Sequence, residues 1–230
     1  MEKIIAESLF ERNFFVNKKI KNKIMGLFTQ YDDPIKELGL GNAMVIKEIN
    51  KWLKDIVKEH QYSITKNLYI NVYTTIDISE KDIIELPEFI NFKYIGGGFY
   101  CINTGLISLR GFPRIVTGSF ICTDNNLKNL INSPKKIGES LILSNNGLES
   151  LEGFPIIVNK NIMLNNNNLE NLKNIPNVIY GDFYINNNPL KTLKYFPKKI
   201  YGNLYISLNE FISEEKILKI CKIYNKIINI

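Results

Sequence analysis

Five prolines, Pro113, Pro134, Pro155, Pro176 and Pro197, recur at a constant 21-residue interval with no insertion between them. The same interval separates Leu106, Leu127, Leu148, Leu169 and Leu190, a column that Phe211 continues. Leu109, Leu130, Leu151, Leu172 and Leu193 keep it too. So do Asn125, Asn146, Asn167, Asn188 and Asn209, with Thr104 in the first place. Gly97, Gly118, Gly181 and Gly202 fill a further column. A fixed period of this length marks a stack of small units, each too poor in apolar residues to bury a core alone.

One unit, Gly181 to Tyr201, reads GDFYINNNPLKTLKYFPKKIY. Phe183 and Ile185 alternate with Tyr184, which is strand periodicity. Stacking puts Phe99, Phe120, Leu141, Ile162, Phe183 and Leu204 in one inward column. Cys101, Cys122, Leu143, Leu164, Ile185 and Ile206 form a second. Strands of neighbouring coils then pair in a parallel sheet at about 4.8 Å spacing. A divergent first rung over Ile76–Ile78, Ile83 and Leu86-Pro87 brings the expected count to seven. A unit this short has no room for a full helix, and its proline removes a backbone donor, so the outer side is expected to be extended or 3₁₀-like. The asparagine column is read as turn-making, each amide bonding backbone groups that the corner leaves unpaired.

Phe183-x-Ile185-x-x-Asn188-x-Leu190 has the spacing L-x-L-x-x-N-x-L, and over about residues 76–211 the chain resembles the leucine-rich-repeat family. Its 21-residue form is similar to repeats of bacteriophage-encoded proteins, in which a helical segment and a Y-x-I stretch, here Tyr62-Ser63-Ile64, precede the repeats. The resemblance implies an α/β repeat fold, a solenoid with a parallel sheet, and brings no activity with it.

The ends lack the repeat. Residues 1–62 read as a helical N-terminal region, with an earlier helix through Ile20, Ile24, Leu27 and Phe28 and a clearer one over Asn42–His60. Residues 63–211 are the solenoid. Residues 212–230 read as a C-terminal capping helix started by Ser213 and lined by Ile217, Ile220, Cys221, Tyr224, Ile227 and Ile228.

Candidates for chemistry are few. His60 is the single histidine, and no Cys-x-x-Cys pair accompanies it. Cys101 and Cys122 take equivalent inward positions and read as packing residues. Gly96-Gly97-Gly98 lacks the Gly-Lys-Ser/Thr of a phosphate loop and reads as a corner. Asp77, Glu80, Asp82 and Glu85 lack calcium-loop spacing and read as a solvated face. No catalytic residue, cofactor or metal is expected.

The position between the two inward residues of each strand points to the concave face. Across the rungs it is Tyr100, Ile121, Ile142, Met163, Tyr184 and Tyr205, all apolar or aromatic. The flanking columns are mostly polar: Gly98, Ser119, Ser140, Asn161, Asp182 and Asn203 before it, Ile102, Thr123, Ser144, Asn165, Asn186 and Ser207 after it. An apolar stripe with a polar rim is the anatomy of a protein interface. The competing reading is that the N-terminal helices fold over it.

The function expected is a non-enzymatic protein–protein interaction module, phage- or virus-encoded, binding a host factor or serving as an accessory structural protein. A bacterial leucine-rich-repeat effector is the first alternative; the catalytic forms carry a large further domain, whereas only the short tail 212–230 follows Phe211 here. A nucleic-acid binder using Lys191, Lys194, Lys198, Lys199, Lys216, Lys219, Lys222 and Lys226, with the aromatics Tyr195 and Tyr201 nearby, is the second. Net charge is +6, with basic and acidic groups at 11 and 9 in residues 1–62, 14 and 12 in 63–211, and 4 and 2 in 212–230, so charge by itself does not select nucleic acid. Three cysteines and a charged N-terminus without a signal-peptide pattern point to a reducing, cytoplasmic compartment, and no apolar run is long enough for a membrane span.

Overall fold

The computed structural model describes residues 40–230. The period becomes a solenoid of eight coils, because one eight-stranded sheet holds one strand from each, all parallel. Its strands are Ile76–Asp77, Phe99–Tyr100, Phe120–Ile121, Leu141–Ile142, Ile162–Met163, Phe183–Tyr184, Leu204–Ile206 and Ile227–Asn229. Each joins the next in one register: Phe99 faces Phe120, Leu141 and Ile162 in turn.

A second strand in each coil forms a second parallel face. Ile70–Val72, Phe92–Ile95, Ile115–Val116, Lys136–Ile137 and Ile157–Val158 make one sheet, with Tyr62–Ile64 antiparallel at its edge. Val178–Ile179, Lys199–Ile200 and Lys222–Ile223 make another. The outer side is therefore extended, and no coil carries a repeat helix. Among the described residues the helices are α1, Leu40–Leu53, a 3₁₀ turn at Glu59–Gln61, and α2, Glu214–Ile220. The α/β expectation is corrected accordingly: a repeat this short, divided between two strands and two corners, leaves no room for a helix.

The core lies between the sheets. Phe99, Phe120, Leu141, Leu204, Cys101, Cys122, Leu143 and Ile206 are fully buried, as are Val116, Ile137 and Ile200 from the second face. Phe112, Phe154 and Phe196 enter from alternate coils, with Ser133 and Ile175 between them. An aromatic ring thus alternates with a non-aromatic side chain along the axis.

The inner asparagines stitch coil to coil. Asn167 Nδ2 donates to the carbonyls of Leu143 (3.0 Å) and Leu164 (2.9 Å), and its Oδ1 accepts from Leu148 N–H (3.1 Å). Asn125, Asn146 and Asn188 repeat the pattern, and Thr104 donates to Asn125 Oδ1. Every buried side-chain nitrogen and oxygen among the described residues has a hydrogen-bond partner. One position earlier, Asn145, Asn166 and Asn187 hold φ values of 55°, 57° and 56°, the left-handed region that asparagine tolerates. Their exposed amides bond in series, Asn187 to Asn166 (2.8 Å) and Asn166 to Asn145 (2.6 Å), and the series ends on Asp124 (2.8 Å).

The N-terminal helix α1 begins two residues before the expected start and stops at Leu53, seven short of His60. Ile49 and Leu53 are fully buried and Trp52 packs on Phe92 at 6.2 Å, so α1 closes the first-coil end of the core. The expected helix through Ile20–Phe28 lies outside the described residues. At the other end Ser213 caps α2 by accepting from Lys216 N–H (3.3 Å), and Glu214 and Glu215 occupy the first turn. The helix ends at Ile220, however. Residues 222–230 are not helical: Lys222–Ile223 and Ile227–Asn229 add an eighth coil to both faces, where seven were expected.

Candidate interaction face

The eight-stranded sheet brings the six stripe residues together. Tyr100, Ile121, Ile142, Met163, Tyr184 and Tyr205 face one another in unbroken register from coil to coil. Asp77 precedes the column and Ile228 extends it by one place that the helical reading of the tail had hidden. All six are half-buried, whereas their inward neighbours Phe99, Phe120, Leu141, Ile162, Phe183 and Leu204 are buried.

Local chemistry fixes how the rings lie. Tyr184 and Tyr205 stack with centroids 4.0 Å apart and planes 4° apart. Burial, then the Tyr205 hydroxyl and the Asp182 charge, push the Tyr184 phenol up to about 12, so it stays neutral at physiological pH. At Gly98 a Cβ would stand 2.6 Å from the Tyr100 ring. Gly98 therefore leaves the space that the Tyr100 ring occupies.

The flanking polar column is spent on the solenoid. Ser140 N–H bonds Ser119 Oγ (3.4 Å), Asn161 N–H bonds Ser140 Oγ (3.3 Å), and Asp182 N–H bonds Asn161 Oδ1 (2.9 Å). Asn203 N–H bonds Asp182 Oδ1 (2.7 Å), and Lys226 N–H bonds Asn203 Oδ1 (3.3 Å). On the other side Ser144 Oγ donates to Asn165 Oδ1 (2.6 Å). These polar side chains satisfy corner amides of the next coil, and the apolar stripe between them is left as the unspent surface.

Cys101 and Cys122 are buried on adjacent coils, and all three cysteines are free. Cys101 Sγ donates to Ile121 C=O at 3.4 Å, and burial pushes its thiol well up. His60 is exposed in its 3₁₀ turn. Asp77, Glu80, Asp82 and Glu85 are exposed. No group of three or more metal-ligating side chains forms among the described residues. No described helix is long and apolar enough to cross a membrane.

Sequence reasoning missed an aromatic column on the second face. Tyr180, Tyr201 and Tyr224 follow the column of buried Ile179 and Ile200 and half-buried Ile223, and stack in the open. The 21-residue step from Tyr180 to Tyr201 was visible. The step to Tyr224 was not, because the step onto the last coil is two residues longer than the repeat. No family model, curated protein or solved structure matches this chain.

Proposed function

We propose that this chain is a non-catalytic interaction protein of the leucine-rich-repeat kind, holding a protein partner on the stripe from Tyr100 to Tyr205. The observation that carries the reading is the division of labour on the eight-stranded sheet. Inward columns fill the core and polar side chains beside the stripe tie the coils, while the six stripe residues stay half-exposed outside that core. Tyrosine and methionine are enriched where proteins meet. A stacked tyrosine pair held rigid by its strands loses little entropy on binding. The L-x-L-x-x-N-x-L spacing and inward asparagines favour the leucine-rich-repeat assignment, in its 21-residue phage-like form. Three unpaired cysteines suit work in a reducing cytoplasm, which for a phage- or virus-encoded chain is the host's, against a host factor or within an assembly.

The test is comparative capture. The full chain and its Met163→Ala/Tyr184→Ala variant serve as parallel baits in an expressing cell, with quantitative mass spectrometry. A protein retained by the first and depleted at least about tenfold from the second identifies the partner and places it on the stripe, since interface anchors typically contribute about 2 kcal/mol or more. Identical captures would reject the stripe.

A further inference from the structure

The exposed side of the second face changes character over the last three coils. Tyr180 and Tyr201 stack with centroids 6.0 Å apart and planes 2° apart, and Tyr201 and Tyr224 at 4.6 Å and 14°. The three are 61%, 43% and 45% exposed, so the stack serves no core. Two residues earlier on each strand the outward column reads Val178, Lys199, Lys222, with Lys199 and Lys222 in register. Lys222 Nζ lies 4.7 Å from the centre of the Tyr224 ring. None of these six outward positions is acidic.

The terminal lysines divide once their contacts are known. Lys191 is paired with Glu170 and Lys219 with Glu215, and Lys216 donates to the carbonyls of Glu210 and Phe211. Lys198, Lys199 and Lys226 have no ion-pair partner among the described residues. Lys198 also lines a groove between coil 6 and α2, together with Lys194, Phe196 and Phe211. Uncompensated positive charge therefore runs from this groove to the tyrosine stack.

We infer that the tyrosine–lysine face of coils 6 to 8 is a binding site for single-stranded nucleic acid. The ligand must be a chain of anionic groups carrying planar rings. Lysines track the phosphates, and the open end of the aromatic stack at Tyr180 accepts a base on its free face. A duplex hides its base faces and fits this arrangement less well. The face is distinct from the stripe, which lies on the other sheet.

Fluorescence anisotropy of the full chain with labelled oligodeoxythymidine of roughly 20 nucleotides, longer than one such site requires, tests the inference across a salt series. The chain should bind. Tyr180→Ala/Tyr224→Ala should weaken binding about tenfold or more without changing the salt dependence, since stacking is not ionic. Lys199→Gln/Lys222→Gln should reduce the slope of log affinity against log salt by about 1.4, from two lost phosphate contacts. Met163→Ala/Tyr184→Ala should leave binding unchanged, which separates this site from the stripe. Circular dichroism and thermal unfolding accompany each variant, and single Tyr180→Ala, which preserves the other two stacked rings, serves if the double change unfolds. Absence of binding by the unaltered chain would overturn the inference. So would tyrosine variants that bind like the parent, or poly-glutamate bound as tightly and with the same tyrosine dependence, which would mark an acidic protein as the occupant.

Discussion

Two neighbouring asparagines in one corner do opposite jobs. Asn167 is buried and holds four backbone groups of two coils, whereas Asn166 is exposed and holds the left-handed turn. Asn167→Ala leaves buried carbonyls and an N–H unpaired and should cost about 2–3 kcal/mol in urea unfolding. Asn166→Gly should be close to neutral, because glycine adopts positive φ freely, whereas Asn166→Val should cost about 1–2 kcal/mol. Equal losses at Asn167→Ala and Asn166→Gly would contradict the division. The thiols add a pH dependence. Burial raises Cys101 well above its ordinary range and Cys221 to about 11. The folded state keeps these protons while the unfolded chain releases them from about pH 8.5. Their contribution is thus complete below that range and is lost as pH rises toward 11. The urea midpoint should fall between pH 8 and about 11, and Cys101→Ala/Cys221→Ala should flatten that fall. The asparagine column was readable because its spacing is invariant. Tyr100 lying on Gly98 was not, because the glycines announced only a corner.

At the scale of elements, the tail shows where periodicity misleads. Ile217, Ile220, Cys221, Tyr224, Ile227 and Ile228 satisfy a helical pattern, yet the chain leaves the helix at Ile220. The step from the seventh coil to the eighth is two residues longer than the repeat, with Leu204 facing Ile227, so the eighth coil falls outside the common register and lacks the proline. Its amides bond across coils: Lys222 N–H to Lys198 C=O, Tyr224 N–H to Ile200 C=O and Ile230 N–H to Ile206 C=O. Hydrogen exchange should find these amides protected alongside that of Leu204, which donates to Lys226 C=O. Ile227→Asp should remove protection from all four together. Protection retained in that variant would favour a local helix over an eighth coil. The second face was also legible in part, since Val116, Ile137, Val158, Ile179 and Ile200 keep the common period. Pairs of residues are too short for alternation to show, so the column had no strand signature.

For the whole molecule, two parallel faces enclose one continuous core, and their outer surfaces differ in chemistry. One carries the apolar stripe; the other ends in tyrosine and lysine. The stripe from Tyr100 to Tyr205 was legible from the sequence, though not its extension to Ile228, because a repeat with strand alternation dictates which residues line up outward. Its surroundings were not, since the rim side chains look free in sequence and are bound to neighbouring coils in the structure. That distinction frames the decisive experiment, a joint measurement of partner affinity and thermal unfolding on Met163→Ala/Tyr184→Ala. If the stripe is a binding face, affinity for the captured partner falls by at least about 2 kcal/mol, near thirtyfold, while the unfolding midpoint moves little because neither residue belongs to the buried core. Unchanged affinity, or a loss of affinity accompanied by an equal loss of stability, would contradict it.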